Sequence, residues 1–390
     1  MILRRFIWGG AALLALALAG FGAWILSLPP APAVVAPAAV AQGETDAMLA
    51  SLKPPKRIRP LIAVVALNDA TETTDYLTPT GILRRADVAD VVMLATGPGP
   101  VRLYPALTVE ADATLAEFDA RNPEGADYVI VPAMSRDDDP AVLAWLRGQA
   151  ERGAIIIGVC AGAKVVAAAG LLDGKRATTH WYFLKKMLDR NPSILYVADR
   201  RMVVDQGVAT TTGVTASMPM MLTLIEAITG RDKAEAGARD LGLPVWDARH
   251  SSGAFKFSRP FATTVLGNVV TFWNRERLGL EIQPGMDEVS LALVADAWSR
   301  TYRSRAMTIA ASAGPVETRN GVRVVPDDLA ADWPQEGRIA TFAGQTPANA
   351  LDQALLKIGD RYGERTAAVV AMQLEYPGRP GVGIPRLALD

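Results

Sequence analysis

The sequence predicts an α/β fold built on a doubly wound, mostly parallel sheet. Two observations carry that prediction. From residue 58 to about 235, short apolar runs of strand length alternate with segments of helical periodicity. One run leads through Gly158-Val159-Cys160-Ala161-Gly162 directly into a small-residue helix, a strand–turn–helix junction.

The elements follow in order. Residues 61–67 are an apolar run of strand length. A polar stretch comes next, then Pro79 and a helix-like segment to Ala86. Residues 91–95 read as a second strand and 127–132 as a third, which Pro132 ends. Residues 140–152 are helical by pattern, with Val142, Leu143 and Leu146 on one face. Residues 154–158 form the fourth strand and 161–172 a helix of small residues. Residues 202–204 and 208–212 suit a late hairpin, and 218–229 an apolar helix that stops at Gly230.

Ahead of this unit, residues 6–28 are apolar and uncharged behind Arg4 and Arg5, long enough to span about 30 Å of hydrocarbon. Trp8 and Trp24 sit near the two ends. The expectation is an uncleaved single-pass anchor at residues 1–28, in an inner or plasma membrane, with the body on the periplasmic or outer side. The alternative is a secreted protein whose signal is cut after Ala39-Val40-Ala41. Residues 29–57, rich in Pro and Ala and then basic, read as a semi-rigid tether.

The 390 residues are 50% hydrophobic, which excludes a mainly disordered chain, and the length suggests about two or three domains. Forty Lys and Arg balance 41 Asp and Glu, so charge gives no case for a nucleic-acid partner. One cysteine and two histidines exclude a disulfide framework and a multi-cysteine or His-rich metal centre. No phosphate loop, dinucleotide fingerprint or metal cluster is present, so no cofactor and no metal are expected.

Cys160 carries the chemistry. A nucleophile at a strained strand-to-helix turn needs minimal neighbours, which Gly158, Ala161 and Gly162 supply. A helix N-terminus favours a thiolate. Read alone, a lone cysteine is more often a buried small hydrophobe; the elbow context reverses that.

With these residues in hand, residues 58–235 resemble the ThiJ/PfpI family of the class I glutamine amidotransferase-like superfamily. The closest similarity is to the amidase-like domains of AraC-type regulators and to isonitrile hydratases. Besides the elbow, Ala177-Thr178-Thr179-His180-Trp181 follows at the family's spacing. Asp75-Tyr76-Leu77-Thr78-Pro79 resembles the family's acidic residue four before a proline, ahead of a helix carrying Arg84 and Arg85. Thr211-Thr212-Gly213 resembles the turn before the last helix. The resemblance implies a flavodoxin-like fold, Cys160 as nucleophile, Asp75 as its acidic partner and His180 nearby. It also implies backbone N–H groups of Ala161 and Ala133 as oxyanion donors. Taken alone, Asp75 equally reads as a solvated turn residue or a helix cap, and His180 as a structural histidine. No His-x-Glu follows between 181 and 230, which disfavours glutamine hydrolysis. Where the family has a Gly pair after Val-Pro, this chain has Ala133-Met134, and Met134 is expected to narrow the pocket or spoil the turn. The acidic run Asp137-Asp138-Asp139 reads as a solvated loop.

Residues 236–275 are a connecting segment whose aromatics, from Trp246 to Trp273, suggest packing; His250-Ser251-Ser252-Gly253 reads as an ordinary loop. Residues 276–390 read as a degenerate, truncated repeat of the first unit. Residues 278–282 parallel the strand at 61–67, and Ala313-Gly314-Pro315-Val316 parallels Pro98-Gly99-Pro100-Val101. Val324 parallels Val109, and Ser290 stands in the place of Asp75. Residues 338–342 and 367–373 parallel the later strands. The copy lacks a cysteine, so its expected role is packing against the first unit, as an intrachain pairing or in place of a homodimer contact.

The expected function is a membrane-tethered, cysteine-dependent hydrolase or hydratase acting on a small electrophilic molecule. The alternatives are a small-ligand or redox sensor using Cys160 and an inert pseudoenzyme.

Overall fold

The computed structural model describes residues 2–32 and 36–378. Helix α1 (Ile2–Ser27) runs through the expected anchor, although several side chains between residues 2 and 14 lie outside the described set. Among the described residues no helix is long and apolar enough to cross a membrane. The end of α1 is docked on the body. Arg259 donates to the carbonyls of Leu26 and Leu28, and the rings of Trp24 and Phe257 lie 6.4 Å apart.

The tether is shorter than its composition suggests. Helix α2 (Gln42–Ser51) packs on the domain through an Arg200–Glu44 ion pair. Leu52 is fully buried, and its carbonyl accepts from the Tyr128 hydroxyl at 2.6 Å. The backbone N–H groups of Lys56 and Arg57 donate to Asp127 Oδ1. A buried carboxylate that collects these donors fixes the chain just before the first strand.

That strand, β1 (Leu61–Ala66), leads into β2 (Asp69–Glu72) and α3 (Thr73–Ala86). Helix α3 begins six residues before Pro79, earlier than the sequence suggested. Glu72 caps it by accepting from Asp75 N, and the proline removes only the N–H that would have met Asp75 O. The chain continues through β3 (Asp90–Ala95), β4 (Val101–Tyr104), β5 (Thr108–Glu110), β6 (Ala113–Thr114) and α4 (Leu115–Arg121). Then come β7 (Tyr128–Val131), α5 (Pro140–Glu151), β8 (Ile155–Gly158) and α6 (Gly162–Ala168). The short pair β9 (Arg176–Ala177) and β10 (Leu195–Tyr196) flanks α7 (Trp181–Arg190). The hairpin β11 (Met202–Asp205) and β12 (Val208–Thr211) precedes α8 (Ser217–Thr229).

The central sheet has the order β11-β12-β8-β7-β1-β3-β6, parallel except for β11. Strand order reverses at β1, so the crevice at the C-terminal ends of β1, β7 and β8 is the expected place for a site. One core packs α4–α7 on one face of the sheet; a second packs α3, α8 and the C-terminal unit on the other.

Helix α9 (Arg231–Leu241) runs through the expected domain boundary at 235, and α10 (Arg259–Val270) follows. Of the connecting aromatics, Trp246, Phe255 and Phe261 are buried, but Phe272 and Trp273 are about 70% exposed. The second unit starts with β13 (Glu276–Glu281), α11 (Glu288–Ser299) and β14 (Ser304–Ala310). It continues through β15 (Val316–Glu317), β16 (Arg323–Val325) and β17 (Asp328–Leu329). Its sheet order β13-β14-β17 copies β1-β3-β6.

The two units meet as a pseudo-dyad. Val101 pairs with Val109, Val316 with Val324, and Val324 with Val109 across the junction, in one five-stranded sheet. Asp112 accepts from Met93 N as Asp327 accepts from Thr308 N. Arg85 of α3 pairs with Asp287, the cap of α11; Arg300, just past α11, pairs with Glu72, the cap of α3, at 2.7 Å.

The later parallels fail. Residues 338–342 contribute one bridge, Gly279 to Arg338, and residues 367–373 lie in a helix rather than a strand. That helix, α13 (Glu364–Gln373), follows α12 (Pro347–Tyr362) through Gly363 at φ 89°. Helices α8 and α9 join in the same way through Gly230 at φ 95°. The copy therefore keeps its opening strands and a closing helix pair.

A Cβ on Gly81 would lie 2.5 Å from Glu288 Oε1 and 2.8 Å from Val289 Cγ2. Gly81→Val is expected to force α3 and α11 apart and to lower the unfolding free energy by about 1–3 kcal/mol in urea titration.

Candidate active site

The elbow is fixed by close approach. A Cβ on Gly162 would sit 1.9 Å from Val131 O, and one on Gly158 would sit 2.9 Å from Ala163 Cα. Cys160 has φ 57°, a left-handed conformation for a residue with a side chain. Such strain costs about 1–3 kcal/mol and persists because neighbours hold it. Cys160 N donates to Thr211 Oγ1 at 3.0 Å, and Thr179 Oγ1 donates to Cys160 O at 3.0 Å.

Asp75 is in the first turn of α3 and completely buried, which excludes the solvated-turn reading. Its Oδ2 accepts from Ala133 N at 3.1 Å, whereas Oδ1 has no N–H or O–H donor. The Cys160 thiol neighbours this carboxyl and interacts with it. Burial raises the Asp75 pKa to about 7, against the opposing Ala133 N–H and the Arg300 cation. Glu72, behind it, is also raised to about 7, by burial and then by Asp75.

The thiol is not a ready thiolate, contrary to the expectation from the helix N-terminus. Burial pushes Cys160 well up, and the charges of Asp75, Glu72 and Glu375 push it further; the Ala161 N–H favours the ionised sulfur but does not prevail. Helix α6 has seven residues, so its dipole is small. The Ala161 N–H lies beside the sulfur. Ala133 is not free: its N–H is taken by Asp75 and its carbonyl by Glu72 N. Met134 is half-buried and packs against the core on the opposite face of the sheet from Cys160, not into the space beside the thiol.

His180 does not act on Cys160 here. Its Nε2 donates to Gln373 O at 2.9 Å, and its Nδ1 accepts from Tyr182 N as the cap of α7. Burial lowers its pKa to about 4, so it is a neutral structural histidine. Among the acidic run, Asp139 caps α5 and Asp137 pairs with Lys164 and Arg190. No cluster of metal-ligating side chains occurs among the described residues.

Glu72 escaped sequence reasoning, and so did two site residues of the second unit, Arg300 and Glu375. Arg300 reaches Glu72 and, at 2.6 Å, Asp296. The internal repeat held a signal for it, since Arg300 occupies the place of Arg85. Glu375 carried no such signal. Its carboxyl accepts from Trp181 N at 2.9 Å and from Gly213 N. Burial raises its pKa to about 7. Glu375 also walls a cavity of about 650 Å³ with Trp181, Tyr196, His250, Phe255 and Phe257. The His250 segment, read as an ordinary loop, therefore lines this cavity. Cys160 itself does not, being 4% exposed, but Thr179, which holds its carbonyl, does.

A doubly wound α/β domain with a cysteine at a strained elbow and a buried carboxyl beside it defines a class of protein. Within that class, residues 62–227 match the DJ-1/PfpI family, and this part of the chain is a DJ-1/PfpI-family domain. Similar proteins include an isonitrile hydratase of Pseudomonas putida, 39% identical over 100 residues, which are 25% of this chain and 42% of that protein. The Parkinson disease protein 7 homolog of Danio rerio is 28% identical over 177 residues, 44% of this chain and 92% of the relative. The HTH-type transcriptional regulator CdhR of Pseudomonas aeruginosa is 32% identical over 148 residues, 37% and 42% of the two chains. The chain thus spans less than half the length of the hydratase and of the regulator.

The Glu375 pKa lies above its unfolded value, so the stability linked to it is full below about pH 4.5 and lost as pH rises through about 7. Glu375→Gln removes that titration. Between about pH 5 and 7.5 the fall in unfolding free energy is expected to become shallower by on the order of 3 kcal/mol, read by denaturant titration at each pH.

Proposed function

We propose that this protein is a cysteine-dependent hydrolase or hydratase for a small electrophilic molecule. The observation that carries this reading is the buried Cys160–Asp75 pair with the Ala161 N–H at the sulfur. A carboxyl with a pKa of about 7 is matched to exchange protons near neutrality. The resting thiol gives its proton to Asp75 as Sγ bonds to a nitrile-like carbon, and one π bond of the substrate opens onto its heteroatom, leaving the second for water to add across. The Ala161 N–H meets the developing charge, Asp75 returns the proton, and water then releases the product from sulfur. The cavity beside Glu375 and Thr179, lined by aromatic side chains, is the substrate's entry in this reading.

The hydratase among the relatives favours this chemistry over a redox sensor. DNA is not part of the reading: the charge is balanced, and the regulators' activity belongs to their own chains. Cys160→Ala is expected to abolish turnover of isonitrile or nitrile probes, and Asp75→Asn to lower it by about 10²-fold or more. Turnover equal to wild type in Cys160→Ala sinks the reading.

The tether belongs to the same proposal. Trp8, Leu13, Leu16 and Leu26 on α1 are each about 70% exposed, an apolar surface suited to a bilayer. Deleting residues 1–28 is expected to move the protein from the membrane pellet to the supernatant in cell fractionation.

A further inference from the structure

The contact that ties the second unit to the site runs through two short bonds and one side-chain contact. Arg300 Nη2 lies 2.7 Å from Glu72 Oε1, Glu72 Oε2 accepts from Asp75 N at 2.5 Å, and Asp75 neighbours the Cys160 thiol. Arg300 is held from behind by Asp296 at 2.6 Å and through its carbonyl by Gln373 Nε2 at 3.0 Å. The pseudo-dyad supplies the mirror contact, Arg85 to Asp287, in the copy where Ser290 replaces Asp75 and no cysteine stands. One member of this pair of arginines therefore faces a reactive group and the other does not.

We propose that Arg300, contributed by the second unit, is a positioning residue that sets the pH at which the Cys160–Asp75 pair gives up its proton. The inference rests on the reading of that pair given above. The groups facing the pair are Glu72, the cap of α3, Thr74 on α3, Asp296 on α11, Arg300 just past it and Glu375 from the C-terminal turn. Arg300 is the single cation among them. Removing a cation makes every deprotonation in such a cluster harder, whichever group loses the proton. The second unit thus tunes the nucleophile, beyond packing against the first.

Cys160 is the chain's one cysteine, so alkylation by iodoacetamide across pH reports on it alone. Arg300→Met is expected to move the midpoint of that profile up by about one pH unit or more. Arg85→Met removes the mirror contact and is expected to leave the midpoint in place. Glu72→Gln removes a negative charge and is expected to move it down. Arg300→Lys keeps the charge and stays near wild type. A folded Arg300→Met with an unmoved midpoint overturns the inference, as does an equal shift in Arg85→Met, which marks general loosening. If Arg300→Met does not fold, Glu72→Gln decides: an unmoved or raised midpoint overturns the inference. Asp75→Asn separates the two proposals. An unmoved profile there removes the Cys160–Asp75 reading itself, whereas a moved profile with an indifferent Arg300→Met removes this inference alone.

Discussion

The buried seam between α3 and α11 organises this molecule. Each helix is capped by a carboxylate that also receives an arginine from the other unit: Glu72 from Arg300, Asp287 from Arg85. The same side chain thus ends a helix, joins two units and, in the first unit only, borders the nucleophile. A buried ion pair of this kind adds little net stability, because desolvation cancels most of the attraction, yet removing one partner is costly. Its value is in register, since the paired charges meet only when both units are seated.

Burial dominates the chemistry of the site. An elbow that aims its sulfur into a closed space gains a fixed geometry and loses easy ionisation. Three carboxyls within electrostatic reach of Cys160 outweigh one amide at the sulfur, so the cluster holds its protons near neutrality. Reaction then depends on handing a proton from a thiol that holds it tightly to a carboxyl that titrates near neutrality, so the bond from sulfur to an electrophile must drive the transfer.

Much of this was legible in the chain. The strands at 61–67, 91–95, 127–132 and 154–158 were clear because central parallel strands are apolar throughout. The elbow was clear because Gly158 and Gly162 answer to contacts that admit no side chain. The start of α3 was not, since Pro79 looked like a boundary while the cap lay at Glu72. Residues 367–373 misled because an Ala/Val-rich run fits a buried helix as well as a strand. His180 was matched by spacing, but the two bonds that occupy its ring come from elements distant in sequence or from its own turn. Glu375 lies 215 residues from Cys160, and no local pattern announces a long-range seal.

The covalent link between the two units has a consequence for behaviour on dilution. A site completed by a separate subunit comes apart when the protein concentration falls below the dissociation constant. Here Arg300 and Glu375 travel on the same polypeptide as Cys160, so their local concentration is set by chain geometry rather than by how many molecules surround them. A molecule held at low copy number, far from any sibling, keeps a whole site.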